Sequence, residues 1–428
     1  MSFLLGVARK DITPALGGNL YGYHDKIFSD SINDRLYVTA VCLADEKQKV
    51  LLVSCDVCLL HNTISDRIRR EIAQNENIPF ENILIHAIHT HTGPNTAGEE
   101  GWGKIDIPYC ESIFIPTVLE ACHEACSNMK QAKMGYATTD SKVGINRRQL
   151  LPNGTVDLGQ NPWGVYDPTM SVVSFIGEDK KPLFNLIHYG AHNTACGAIT
   201  TISRDWCGVA IDRLADLSGG VTAFFNGCEG DTGPRLPNGK TVGGMQYALE
   251  LGGLAAIDAV RAWKNIKTYT IPAITVLPMQ AKLPLQPRIS LQEARDGYEK
   301  FKEFDVNLNR QTAHYYEQVI AAYESNIPQE EYRTVNLTLV QLGDIVIIPF
   351  AYEMFTEISL RFKAAFPHKH ILCMSNTNGN NSYFPSADQI IRGGYEVQMF
   401  KTGNGLQAPV DNADDYLVQE IVRKMEEL

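Results

Sequence analysis

No stretch of the chain approaches the ~20 consecutive apolar residues of a membrane-spanning helix, so stable membrane insertion is not expected. Basic runs are missing as well. The 38 Lys and Arg stand against 49 Asp and Glu, a net charge of −11, and no cluster of cations could follow a phosphate backbone, which argues against nucleic acid as a partner. The N-terminus, MSFLLGVARKDITP, has only about six apolar residues before Arg9 and Lys10, short of the roughly 7–15 of a secretory signal, and a cytoplasmic protein is expected. A second C-x-x-C pair is also absent. CDVC at 55–58 stands alone behind the apolar run VLLVS, and the ten cysteines, mostly set in apolar patterns, read as buried free thiols rather than disulfides or a zinc cluster. There is no repeat, low-complexity tract or linker. One domain spanning 1–428 is the expectation.

What is present is the alternation of an α/β protein, with a mixed β-sheet core flanked by helices. LYVTAVCLA, VLLVSCDVCLL and NILIHAI have strand length, with a helix over 64–73 between the last two. A second helix is expected over about 106–129. SVVSFIG and PLFNLIHYG read as paired strands about an EDKK turn, VTAFFNG as a further strand, and GGMQYALELGGLAAIDAVRAW as a long helix of small residues. Residues 290–324 differ. SLQEARDGYEKFKEF opens on a Ser-x-x-Glu capping box and NRQTAHYYEQVIAAYE carries a second amphipathic pattern, which predicts a helical hairpin serving as rim or lid. VNLTLVQLGDIVIIPF then forms a hairpin about Gly343-Asp344, and DDYLVQEIVRKMEEL closes the chain as a helix.

Three of the eleven histidines fall in ILIHAIHTHTGPN at 83–95. Strand alternation puts His89 and His91 on one side and His86 on the other, and Thr92-Gly93-Pro94 ends the strand, where α/β proteins bind ligands. Both imidazoles could meet a metal, or one could bind metal while the other handles substrate; His86 reads as structural. In NLIHYGAHNTACG, His192 is placed for a mouth and His188 for packing inside the strand. Glu353 stands beyond IVIIP, and further polar groups gather in FFNGCEGDTGPR and NGNNSYFPS. His314 reads as a surface histidine. Asp56, Asp205 and Asp231 are either caps or groups that orient ligand histidines. Cys228 in FNGCEG, with His188 or His192 as base, is an alternative nucleophile, although Asn226 replaces the first glycine of a nucleophile elbow.

The ordered set GVARKDITP, HTHTGP, NRR, H-N-T, SRDWCG, GDTGPR and E-M-F…SYFPS…GGYE resembles the catalytic domain of the neutral/alkaline non-lysosomal ceramidases, without their C-terminal immunoglobulin-like domain. The resemblance runs from about Leu5 to the last helix. It implies a zinc amidase cleaving an N-acyl bond, with His89, His192, Glu353 and Tyr383 as metal ligands and His91, Arg147 and Tyr395 lining the substrate site. Zinc in such a site lowers the pKa of bound water to about 7, so that metal-bound hydroxide attacks the amide. His91 is then the proton carrier, with Arg147 and Tyr395 holding the carbonyl oxygen or a polar end of the acyl group. The chain departs from the family pattern twice. The usual Pro-Gly-Glu is here Pro349-Phe350-Ala351-Tyr352-Glu353, two residues longer, and the position of the family's activity-linked serine is Gly233. With that serine replaced, and with neither the immunoglobulin-like domain nor a secretory signal expected, a soluble small-molecule N-acyl compound other than ceramide is the expected substrate. The alternative is a family member that binds metal or ligand without turnover.

Overall fold

The computed structural model describes residues 2–305 and 307–428. Eight principal strands form the larger sheet: β1 (Leu4–Asp11), β2 (Tyr37–Ala44), β3 (Lys49–Cys55), β4 (Ile83–Ala87), β5 (Lys130–Asp140), β6 (Thr169–Gly177), β7 (Pro182–Tyr189) and β8 (Val221–Asn226). Their order is β8-β7-β6-β5-β1-β2-β3-β4. All neighbours are antiparallel except the pairs β3/β4 and β7/β8, which are parallel. A smaller sheet follows, β9 (Ile274–Pro284), β10 (Tyr332–Leu342), β11 (Ile345–Pro349) and β12 (His370–Met374), with β11/β12 parallel. The expected mixed α/β class is the one observed.

Each parallel pair is joined by a helical crossover, as parallel strands require. Helix α1 (Asn62–Glu76) links β3 to β4, α3 (Asp205–Ser218) links β7 to β8, and α7 (Thr356–Ala365) links β11 to β12. The other long helices are α2 (Ile115–Ser127), α4 (Met245–Asn265), α5 (Leu291–Phe301), α6 (Asn307–Glu324), α8 (Tyr395–Thr402) and α9 (Ala413–Met425). The stretch over 106–129 is not one helix. A single turn at Ile107–Tyr109 and a π turn at Cys110–Phe114 precede α2, which has a proline in its first turn; Pro116 has no N–H to continue the ladder behind it. The capping box of α5 is formed as its sequence predicts, with Ser290 and Glu293 satisfying each other's backbone.

Alternation along the strands sorts the core into layers. Val38, Ala40, Leu51, Val53, Ile83 and Ile85 face α1 and α2, and Val172, Ile187 and Phe224 face α3 and α4. The opposite parity, including Val41, Leu52, Leu84, Phe175 and Phe225, meets Val340, Ile345, Ile347 and Leu372 of the smaller sheet. That sheet's outer residues, Leu339, Val346, Ile348 and Ile371, are covered by α7 and α9 through Ile358, Phe362, Leu417 and Ile421. The result is four layers, helix, sheet, sheet and helix. The larger sheet also curls until its ends meet: Ser54 Oγ donates to Phe224 O at 2.8 Å, and Asn226 N donates to His86 Nε2 at 2.8 Å. His86 thus staples β4 to β8, and its Nδ1 lies 3.1 Å from Thr377 Oγ1 beyond β12. It is buried and structural. Helix α6 is docked at its start: Asn307 Nδ2 donates to Tyr23 O, and Arg310 binds Asp25 at 2.8 Å and Glu100 at 2.9 Å. All ten cysteines are free, nine buried and Cys126 half-buried.

Candidate metal centre

The curl and the second sheet bring the C-terminal ends of all three parallel pairs to one place. Cys58 follows β3, His89 and His91 follow β4, His192 follows β7, Glu229 follows β8, Glu353 follows β11 and Tyr383 lies beyond β12. Short bridges fix the register between these segments. Thr90 pairs with Asn193, and His91 N donates to Asn193 O at 3.3 Å. Glu353 and Tyr383 are direct partners in a two-residue parallel ladder. The strand that carries the histidine motif ends at Ala87, earlier than alternation predicts, and His89 takes a left-handed conformation with φ 70°. That kink, rather than strand parity, places the Nε2 atoms of His89 and His91 3.2 Å apart. A non-glycine residue there costs on the order of 1–3 kcal/mol and persists only when its surroundings hold it; His89 N donates to Val57 O at 3.0 Å.

The geometry fits a cation. His89 Nδ1 donates to Cys58 O at 3.1 Å and His192 Nδ1 to Glu229 O at 2.8 Å. A carbonyl can only accept, so each Nδ1 carries a proton, and the Nε2 of each ring in its neutral form presents a lone pair. Both Nε2 atoms face the same carboxylate oxygen: Glu353 Oε2 lies 3.0 Å from His192 Nε2 and 3.3 Å from His89 Nε2, yet it accepts no directed hydrogen bond. Three buried groups that can each offer an electron pair converge where positive charge, from a cation or from protonation of His89, relieves them. Tyr383 Oη stands 3.5 Å from His192 Nε2 and accepts from Arg147 Nη2 at 3.0 Å.

Electrostatics follow from this crowding. Burial disfavours charge on every group, and the mutual field offsets it unequally. Glu353 is held well below the usual carboxylate range by His89 and His192 against the cost of its burial. Burial likewise pushes His89 down, but Cys58 and Glu353 raise it to a net value well above the usual imidazole range. His192 is lowered to about 3, by burial and then by Arg147. His91 is pushed well below its ordinary value by burial and by the other two imidazoles, and its Nδ1 has no hydrogen-bond partner among the described residues.

All seven residues singled out by sequence lie together. Arg147 is buried behind Tyr383, with Nε donating to Glu396 Oε1 at 2.9 Å. The rings of Tyr395 and Tyr383 are 5.7 Å apart. A cavity of about 30 Å³ runs between His89, His91, Glu353, Tyr383 and Tyr395, room for about one water. Its other walls are Cys58 of CDVC and Asn380 and Ser382 of NGNNSYFPS, together with Tyr21, Gly22, Leu59, Glu99, Trp102 and Met399, which the sequence did not single out. Glu99 is raised to about 7 by burial, Tyr21 pulling the other way. Glu229, raised to about 8 by burial, is a further buried carboxylate beside the site. The sequence cue was there in GEEGWG, a carboxylate pair and a tryptophan among glycines, directly after the histidine motif. Cys58 is a buried thiol as expected, but its Sγ also lies 3.6 Å from His89 Nδ1.

Other candidates resolve as structural. Asp205 accepts from the backbone of Ala195, Cys196 and Trp206, Asp231 from Thr356 N and Oγ1, and Asp56 from Tyr37 N. None of them hydrogen-bonds a histidine ring. Instead Asp205 acts at one remove, since Trp206 Nε1 donates to His192 O at 2.9 Å. Cys228 sits in the core of the smaller sheet, its thiol raised by burial and by Cys373. Its proposed base His188 donates instead to Cys373 O at 2.7 Å. His314 is exposed beside Glu317 and Gln318.

Fold and site together define an α/β protein with a candidate mononuclear metal centre at its strand ends. The chain belongs to the neutral/alkaline non-lysosomal ceramidase family, whose N-terminal profile matches residues 3–244, more than half of its length. Among solved structures it is similar to the neutral ceramidase from Pseudomonas aeruginosa, at 15% identity and a TM-score of 0.75, over 100% of this chain and 75% of that one. A ceramidase complexed with C2 is similar at 15% identity and a TM-score of 0.73, over 100% of this chain and 76% of that one. No curated protein sequence matches the chain. Among the described residues, no helix is long and apolar enough to cross a membrane.

Proposed function

We propose that this ceramidase-family hydrolase uses one zinc ion, held by His89, His192, Glu353 and Tyr383, to cleave an N-acyl bond in a soluble, cytoplasmic small molecule other than ceramide. The observation that carries the reading is the convergence of two Nε2 lone pairs, with both Nδ1 protons committed to carbonyls, on an unbonded carboxylate oxygen. Two imidazoles, a carboxylate and a phenol make a borderline donor set suited to zinc.

Bound zinc supplies Lewis acidity towards the scissile carbonyl and activates water at neutral pH. The chain supplies the rest. His91, neutral because its pKa is depressed, takes a proton at Nε2 and returns it to the departing amine nitrogen. Tyr395, whose hydroxyl stays protonated because burial raises its pKa, donates to the carbonyl oxygen as negative charge develops there. Arg147 does not line the cavity; tied to Glu396, it fixes the Tyr383 hydroxyl. No serine nucleophile is required. A side chain at Gly233 would meet Thr241, with Cβ only 2.7 Å from Thr241 Cβ.

The test is metal analysis of the purified protein and of His89→Ala, with chelator-sensitive hydrolysis of a panel of short N-acyl amides. About one zinc per chain, lost in the variant together with hydrolysis, is expected. Zinc without turnover on any amide or ester would leave a metal-binding protein that is not an enzyme, and equal metal content in the two proteins would remove the site.

A further inference from the structure

Glu99 is the one residue, among those described, that lines both the inner cavity at the metal centre and a larger outer cavity of about 870 Å³. Its Oε2 accepts from Tyr21 Oη at 2.9 Å, while Oε1 accepts no hydrogen bond among the described residues. The carboxylate is therefore anchored on one side and open on the other. Around it, Tyr21, Trp102 and Tyr395 line the same inner cavity. A carboxylate beside aromatic rings suits an ammonium group, through charge-assisted hydrogen bonds and ring quadrupoles.

The outer cavity agrees with a polar ligand. Its walls carry Asp25, Glu100, Lys104, Arg310, Gln311, His314 and Tyr315, and no aliphatic side chain lines it among the described residues. Arg310 is already bound to Asp25 and Glu100, and so does not compete for Glu99. An alkyl chain leaving the metal centre past Glu99 would meet the Tyr315 ring but no aliphatic side chain among the described residues, whereas a short cationic arm would meet a free carboxylate oxygen.

We propose that Glu99, anchored by Tyr21, is a specificity residue that binds a primary ammonium group, so that the substrate is a short N-acyl compound carrying an amine a few bonds from its amide. The substrate half of this statement rests on the amide-hydrolase reading above; the ammonium site does not. Binding is therefore measured by calorimetry on chelator-treated protein, with three probes of similar length: N-acetyl-1,4-diaminobutane, N-(4-hydroxybutyl)acetamide and N-pentylacetamide. The ammonium probe is expected to bind about tenfold or more tightly than the pentyl probe, the margin of one charge-assisted hydrogen bond. Glu99→Gln should abolish that margin, and Tyr21→Phe, which keeps the charge but removes its anchor, should reduce it, both with unchanged circular dichroism. Equal binding of the three probes to wild type, a preference for the hydroxyl or pentyl probe, or a margin that survives in a folded Glu99→Gln or, should that variant not fold, is undiminished in a folded Tyr21→Phe, overturns the proposal. Zinc-loaded protein that hydrolyses neither the probes nor any other amide or ester of the panel while the Glu99-dependent margin persists defeats the hydrolase reading and leaves the ammonium site standing. Hydrolysis without the margin does the reverse.

Discussion

Gly233 and Thr241 compete for one volume. A Cβ on Gly233 would lie 2.7 Å from Thr241 Cβ and 2.8 Å from its Cγ2, and Thr241 is buried, its carbonyl bound by Thr194 Oγ1 at 2.9 Å. Gly233→Ser should therefore destabilise by about 1–3 kcal/mol, as overpacking does, and add no activity. The double variant with Thr241→Gly should recover part of the lost Tm; a serine tolerated without loss would show the volume to be free. Gly22 makes a second test. At φ 132° its Cβ would fall 2.5 Å from the His91 ring, so Gly22→Ala should displace that imidazole and lower kcat by about 10²-fold or more, the usual share of a proton carrier, with zinc content unchanged. Loss of zinc instead would make His91 a ligand. At this scale the sequence showed what local patterns can show. His89, His91 and His192 stand out because polar residues follow apolar strands, whereas Tyr21, in the two-residue strand Leu20–Tyr21, and Glu99, in a loop, meet only through contacts far apart in the chain.

Elements were legible where period and turn chemistry agreed. Leu291–Phe301 and Asn307–Glu324 form the expected helical hairpin, and Gly343, at φ 60°, turns β10 into β11. The strand-end placement of the site was also legible, since β4, β7 and β11 are apolar runs that stop at polar residues. The kink at His89 was not, because nothing local in HAIHTH calls for a left-handed residue; the backbone contact to Val57 imposes it. The hairpin's expected role as a lid can be tested at Arg310, which ties α6 to the loops carrying Asp25 and Glu100. These ion pairs are partly exposed, so Arg310→Ala should change stability by no more than about 1 kcal/mol. It should nevertheless speed amide hydrogen exchange across residues 98–104 and shift KM more than kcat. Exchange identical to wild type would mean that the loop is held without α6.

On the scale of the whole molecule, the curl that gathers the strand ends also buries an unusual number of titratable groups, and their shifts oppose one another. Burial raises Asp56 and Asp231 to about 6, Glu99 to about 7 and Glu229 to about 8. An acid raised on folding contributes stability that is fully present below its unfolded pKa and lost as pH rises through the folded value. These four therefore weaken the fold progressively from about pH 4 to 8. Burial lowers His86, His192 and His370 to about 3 and His188 to about 4. A base lowered on folding contributes stability that is present above its unfolded pKa and lost as pH falls through the folded value, so these four weaken the fold below about pH 6.5. Chelator-treated protein should accordingly show a maximum in Tm between about pH 5 and 6.5, falling on both sides. The charge of Glu353 contributes to raising both Glu99 and Glu229. A cation bound at Glu353 cancels that field, lowers both pKa values and so flattens the alkaline limb. Scans of Tm against pH with and without chelator test both parts: a chelated profile that rises monotonically from pH 5 to 8, or an alkaline limb unaffected by metal, would mean that the buried acids are relieved by some means other than an ion at Glu353.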